Sequence, residues 1–235
     1  MIARWSGILP LLFAGSALAG PRVAVDIGHG LADPGAISAR GRAEFLFNRD
    51  LGEQLRAALT LHGHDVVPVN FAGDVTVLAE RPRLAAGSDF FISVHHDSVG
   101  PPWLAEWTWE GRVHTYTEVK RGFGLFVSAQ NPDLETSLRC ASTIGAVLRR
   151  AGFEASGWHG RKHVAADAEN GVWYYDNLVV LYRTSLPAVL FEAGVIKHRD
   201  EELELLDPER QARMADALAT GIAACLFVTG KPAPD

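Results

Sequence analysis

The chain has 235 residues, a net charge of −6 and only two cysteines, Cys140 and Cys225. Mild acidity without a basic stripe argues against nucleic acid as a partner, and two cysteines far apart in sequence form no metal-binding spacing. Beyond the first twenty residues no stretch is long and apolar enough to cross a bilayer, so no stable membrane insertion is expected.

The opening MIARWSGILPLLFAGSALAG has an early Arg4, an apolar run over 8–18 and Ala17-Leu18-Ala19 ahead of Gly20. That is the layout of a secretory signal with an A-x-A cleavage site, an uncleaved anchor being the alternative. Residues 1–19 are therefore expected to be removed, with the mature chain working in the periplasm or outside the cell. The cysteines would then meet an oxidising environment, but both fall in helical patterns and Cys is also a common core residue, so bonded and free states stay open. Residues 20–228 suit one domain, and the tail 229–235 is expected to be frayed.

Residues 23–27 (VAVDI) read as a buried strand. Over 48–61 Leu51, Leu55, Ala58 and Leu59 recur at helical spacing. A strand at 65–69, a helix over 75–86 and a nearly all-apolar strand at 89–94 (DFFISV) follow. A Trp-rich stretch over 101–114 interrupts; then come a strand at 124–129, a long helix over 134–151 and a polar loop over 152–176. Two strands, 178–182 and 188–191, and a closing helix over 208–227 complete the chain. Strands apolar throughout and alternating with helices predict a single α/β domain: a mostly parallel twisted sheet of about six strands with helices on both faces.

Ligands of such sheets bind at the carboxyl ends of the strands. The first strand ends at Gly28-His29-Gly30, the third at His95-His96-Asp97 and the last at Phe191-Glu192-Ala193-Gly194. Glu44, just before the first helix, can reach the same edge. Two imidazoles and a carboxylate form a catalytic zinc set, and a further carboxylate can serve as general base. His29, Glu44 and His95 would be the ligands of one Zn²⁺, and Glu192 the catalytic base. Each residue has a plainer reading: a tight turn for His29, a helix-start charge for Glu44, a satisfied strand-end histidine for His95 or His96. Glu192 is harder to explain so, because a carboxylate closing an apolar strand needs a partner. No G-x-S-x-G is present, and neither cysteine has a nearby catalytic partner, so serine or thiol chemistry lacks support.

Four segments then carry a family resemblance: VAVDIGHGLADPGAI, RAEFLFNRDLGEQLRAAL, SDFFISVHHDS and LYRTSLPAVLFEAGVI. In this order, over residues 23–226, the chain resembles the zinc-dependent N-acetylmuramoyl-L-alanine amidases (amidase type 3), which cut peptidoglycan. The resemblance implies hydrolysis of the amide between N-acetylmuramic acid and L-alanine in wall polymer or muropeptides. It implies zinc on His29, Glu44 and His95, and catalysis by Glu192. Departures are His96 and Asp97, which stand where the family has a small residue and Asn, and Leu31 in place of a glycine. The short connection ahead of the helix at Leu134 leaves no room for the inhibitory helix of some relatives, so an open site is expected.

Trp103, Trp107 and Trp109 are candidates for gripping sugar or peptide, or for packing their loop on the domain. His159 and His163 are expected to be exposed loop residues, extra metal or substrate contacts being the alternative. A monomer is expected. The rival readings are a zinc peptidase cutting within the stem peptide and a non-catalytic wall-binding module.

Overall fold

The computed structural model describes residues 20–228, so the expectations for 1–19 and 229–235 lie outside the described residues. Strand β1 (Gly20–Ile27) leads into helix α1 (Glu44–Leu61), then β2 (His64–Val69), the single-turn helix α2 (Arg81–Leu84) and β3 (Phe90–Asp97). A hairpin of β4 (Ala105–Trp109) and β5 (Arg112–Tyr116) comes next. Then follow β6 (Gly124–Val127), α3 (Leu134–Arg150), β7 (Ala165–Asp167), β8 (Val172–Tyr174) and the single turn α4 (Val179–Tyr182). The chain closes with β9 (Ala188–Val195), α5 (Arg199–Leu206) and α6 (Pro208–Val228).

Seven strands form the main sheet in the order β2-β1-β3-β9-β6-β8-β7. Its β2-β1-β3-β9 half is parallel. β6 runs antiparallel to β9, β8 parallel to β6 and β7 antiparallel to β8. The predicted α/β class therefore holds, with one more strand than expected. The two faces are unequally covered. On one, α1, α3 and α6 bury Phe47, Leu51, Ile144, Leu148, Leu218 and Ile222 against Val23, Val25, Ile92 and Phe191. A disulfide joins Cys140 of α3 to Cys225 of α6, settling the alternative left open by sequence. On the other face Ala24, Phe91 and Leu190 lie under Ala85, Val180 and Leu181, which belong to single helical turns and their flanks.

Four expectations are corrected. Residues 75–86 form no continuous helix. Pro82 has no N–H to give to a preceding turn, so only a 3₁₀ turn at Leu78–Glu80 and α2 form. The backbone at Val75 is engaged elsewhere: its N–H donates to Asn70 Oδ1 at 3.0 Å and its carbonyl accepts from Arg81 at 3.3 Å. The stretch 178–182 is helical, because an apolar run this short has no diagnostic period and Val180 and Leu181 pack down on the sheet. The loop 152–176 contains β7 and β8. The Trp-rich stretch is a hairpin whose turn places Glu110 at φ 47° and Gly111 at φ 75°, the left-handed pair that suits the twist of two-residue hairpins.

Candidate functional site

The first loop is built by close approach. Gly28 extends the ladder by donating its N–H to the Val94 carbonyl at 3.0 Å. A side chain there is excluded, since a Cβ would lie 2.2 Å from Nε2 of His95. His29 follows at φ 63°, a conformation that disfavours L side chains. Two long polar side chains hold it there. Asn70 Nδ2 donates to the carbonyls of Ile27 (2.7 Å) and His29 (2.6 Å), and the Arg81 guanidinium donates to the same two oxygens at 2.8 and 2.5 Å. Behind them lies the fully buried Asp26, 3.5 Å from Arg81, with Ser93 Oγ donating to its other oxygen at 2.6 Å. Burial raises the Asp26 pKa, against the pull of Arg81 and Ser93.

Glu44 is the first residue of α1, not a residue ahead of it. Its Oε1 lies 3.2 Å from His29 Nε2 and 3.1 Å from His95 Nδ1. Its Oε2 accepts from the Ala36 N–H at 3.2 Å. One turn on, Asn48 Nδ2 donates to Glu44 Oε1 at 3.3 Å and to the Gly28 carbonyl at 3.1 Å. Burial works to raise the Glu44 pKa, but hydrogen bonds from His29 and His95 outweigh it and hold the carboxyl well below the usual range. Burial likewise works to lower the His29 pKa, and Glu44 outweighs it, leaving it raised. One ligand atom from each of His29, Glu44 and His95 lies within 4.8 Å of the other two, so the trio can hold a metal ion.

Strand parity separates the adjacent histidines. In β3, Phe91 belongs to the thinly covered face, whereas Phe90, Ile92 and Val94 belong to the helix face. His95 falls with Phe91 and Ser93, and His96 with Val94. His96 is 2% exposed, and its Nδ1 donates to Asn48 Oδ1 at 2.8 Å. Burial pushes its pKa down to about 3, so it packs α1 against the sheet as a neutral ring.

Glu192 is the cross-strand partner of His95 in the β3–β9 ladder. Its Oε2 is buried without a hydrogen-bond partner among the described residues, and burial with the neighbouring charges of Asp97 and Glu44 raises its pKa well above the usual value. His29 and His95 border a cleft of about 440 Å³ that Leu178 and Leu190 also line. The same two leucines line an adjoining smaller cavity of about 210 Å³, bordered by Glu192, Asp97 and His159.

Sequence reasoning missed Asp97 and treated His159 as an exposed loop residue, whereas it is 5% exposed and faces inward. It also passed over Asn48, Asn70 and Arg81; the spacing of four between Glu44 and Asn48 on one helix face was a readable signal. The tryptophans divide. Trp107 donates its Nε1–H to the Ala39 carbonyl at 2.9 Å and stacks on Trp109 at 5.3 Å between centroids. The Arg40 guanidinium covers both rings at 5.2 and 5.0 Å, so the pair docks the hairpin. Trp103 meets Trp158, which borders the smaller cavity, edge-on at 5.0 Å. The connection 128–133 is short, as expected. Because β6 runs antiparallel to β9, however, it leaves the sheet at the opposite edge, so its length has no bearing on access to the site.

The chain has the fold of solved N-acetylmuramoyl-L-alanine amidases. An N-acetylmuramoyl-L-alanine amidase from Clostridium difficile 630 superposes with a TM-score of 0.71 at 20% identity, covering 91% of this chain and 100% of that one. The N-acetylmuramyl-L-alanine amidase Ami1 from Mycobacterium smegmatis gives 0.70 at 22% identity over 89% and 98%. The catalytic domain of the amidase CwlV from Bacillus (Paenibacillus) polymyxa var. colistinus gives 0.68 at 24% over 88% and 99%. No individual curated sequence matches the chain. The family model for N-acetylmuramoyl-L-alanine amidase matches residues 23–224, nearly the whole described domain, and the chain belongs to that family of enzymes.

Proposed function

We propose that the protein hydrolyses the amide between N-acetylmuramic acid and L-alanine in peptidoglycan, using zinc held by His29, Glu44 and His95, with Glu192 moving the proton. The observation that carries the reading is the convergence of two imidazoles and one carboxylate within 4.8 Å, next to a carboxylate oxygen without a hydrogen-bond partner among the described residues. The donor set suits the metal: two nitrogens and one oxygen, with the carboxyl kept ionised by its neighbours. Zinc bound there would act as a Lewis acid, polarising the scissile carbonyl and acidifying the attacking water.

The chain supplies the rest. Asn48 and the Ala36 N–H fix the Glu44 carboxylate, and Asn70 and Arg81 fix the backbone from which His29 projects. Glu192, beside His95 in the sheet, takes a proton from water at Oε2 and returns it to the leaving nitrogen. Its raised affinity for protons favours holding one between those steps. Export after loss of residues 1–19 belongs to the same proposal. It is supported by the Cys140–Cys225 disulfide, a bond that persists in oxidising compartments. Among the described residues no helix is long and apolar enough to cross a membrane.

The test is release of new N-terminal L-alanine from purified peptidoglycan by wild type and Glu192→Gln. Loss of about 10²–10⁴-fold in rate with unchanged zinc content is expected for removal of a general acid–base. Equal rates would overturn the role of Glu192, and new termini other than L-alanine would move the cleaved bond into the stem peptide.

A further inference from the structure

The smaller cavity gathers three polar atoms that have no hydrogen-bond partner among the described residues: Asp97 Oδ2, His159 Nε2 and Glu192 Oε2. They arrive from separate segments. Asp97 ends β3, Glu192 lies in β9, and His159 comes from the loop ahead of β7. His159 Nε2 stands 3.6 Å from Asp97 Oδ2. It also lies directly over Gly124, where a Cβ would come within 2.7 Å of it, and Gly124 is the cross-strand partner of Glu192. The imidazole is held edge-on against Phe126 at 4.8 Å and is 5% exposed. Leaving even one such atom unmatched is costly, so three facing one small space make it a polar binding site.

The charges around the cavity are ordered. Asp97 and Glu192 offer two carboxylates, and Lys162 borders the same space. Next to it, Arg161 and Lys120 lie over the Trp103–Trp158 pair: the Arg161 guanidinium is 5.4 and 5.2 Å from the two centroids, and Lys120 Nζ is 4.1 Å from Trp103. A ligand matching this order carries an amine at one end and a carboxylate at the other. An ammonium has three N–H groups to give; Asp97 and Glu192 supply two acceptors, and His159 Nε2 supplies the third in the tautomer that carries its proton on Nδ1. Building on the amidase reading above, we infer that this cavity is the subsite for the released peptide. In it Asp97, Glu192 and His159 accept from the new L-alanyl ammonium, and Lys162 pairs with a carboxylate further along the peptide.

The experiment is inhibition of the zinc-loaded enzyme by an L-alanyl-glutamate dipeptide and by its N-acetyl derivative, for wild type, His159→Leu and Asp97→Asn. Wild type is expected to bind the free amine about tenfold more tightly than the acetylated form, the scale of a charge-assisted hydrogen bond. Both variants should bring that ratio near one while keeping zinc content and melting temperature. Equal inhibition of wild type by the two dipeptides would overturn the subsite, and so would variants that are folded, zinc-loaded and still selective. Wild type that cuts peptidoglycan without preferring the amine would remove the subsite alone. Wild type that frees no L-alanine from peptidoglycan would remove the amidase reading and the subsite with it.

Discussion

The two faces of the sheet are built from the same strands and do different work. On the helix face α1, α3 and α6 form a continuous apolar core, tied further by Cys140–Cys225. On the other face, among the described residues, single turns and loops cover the strands, and polar residues replace apolar ones toward the carboxyl ends: Asp26, Ser93, His95 and Glu192. A strand offers alternate residues to opposite faces, so one segment can both seal a core and open a site. His95 and His96 show the division at its sharpest. One ring belongs to the trio that can hold a metal ion, while the next, a residue away, is a buried spacer bonded to Asn48.

This contrast can be attacked at several points. The largest stability effect is expected at the polar clamp of the thin face. Arg81→Met leaves Asp26 buried without its cation and frees the carbonyls of Ile27 and His29, which should cost about 3–5 kcal/mol in denaturant unfolding. Full stability in that variant would mean the clamp is dispensable. On the helix face, the disulfide closes a separation of 85 residues, and reducing it should remove about 2–4 kcal/mol while leaving zinc binding intact. Loss of zinc on reduction would show that the faces are coupled after all.

Acid gives a smaller and more selective probe. His96 titrates at about 3 when folded, below its usual 6.5. Between pH 7 and pH 5 the unfolded chain gains a proton at this residue and the native one does not. Stability from this group is therefore complete above the unfolded pKa and falls as pH drops toward the folded one. Replacing it by His96→Phe should lessen the fall in unfolding free energy between pH 7 and pH 5 by about 2 kcal/mol. An unchanged slope would mean that His96 is not held neutral.

What the sequence disclosed follows from how local each signal is. The long helices announce themselves through their periodicity and the buried strands through continuous apolar runs rich in Val, Ile and Phe, and His29, Glu44, His95 and Glu192 stand at strand or helix ends where ligands of such sheets collect. The hairpin was legible too: Glu110-Gly111 between alternating Trp107, Trp109 and Val113 is a two-residue turn flanked by strands, obscured by a tryptophan cluster that invites a ligand-binding reading. The turn at Val179–Tyr182 was not legible, because four apolar residues fit a strand equally well. Nor was the approach of His159 to Asp97. It depends on β6 turning antiparallel beside β9, which places Gly124 under the imidazole and leaves no trace in either local sequence.

The central claim is that the outcome of parity in β3 assigns one histidine to the metal and its neighbour to the core. Zinc content of purified His95→Ala and His96→Phe, measured alongside wild type, tests it most directly. Wild type and His96→Phe should each carry about one zinc per chain, and folded His95→Ala should carry almost none. Zinc retained by His95→Ala and lost from His96→Phe would contradict the assignment.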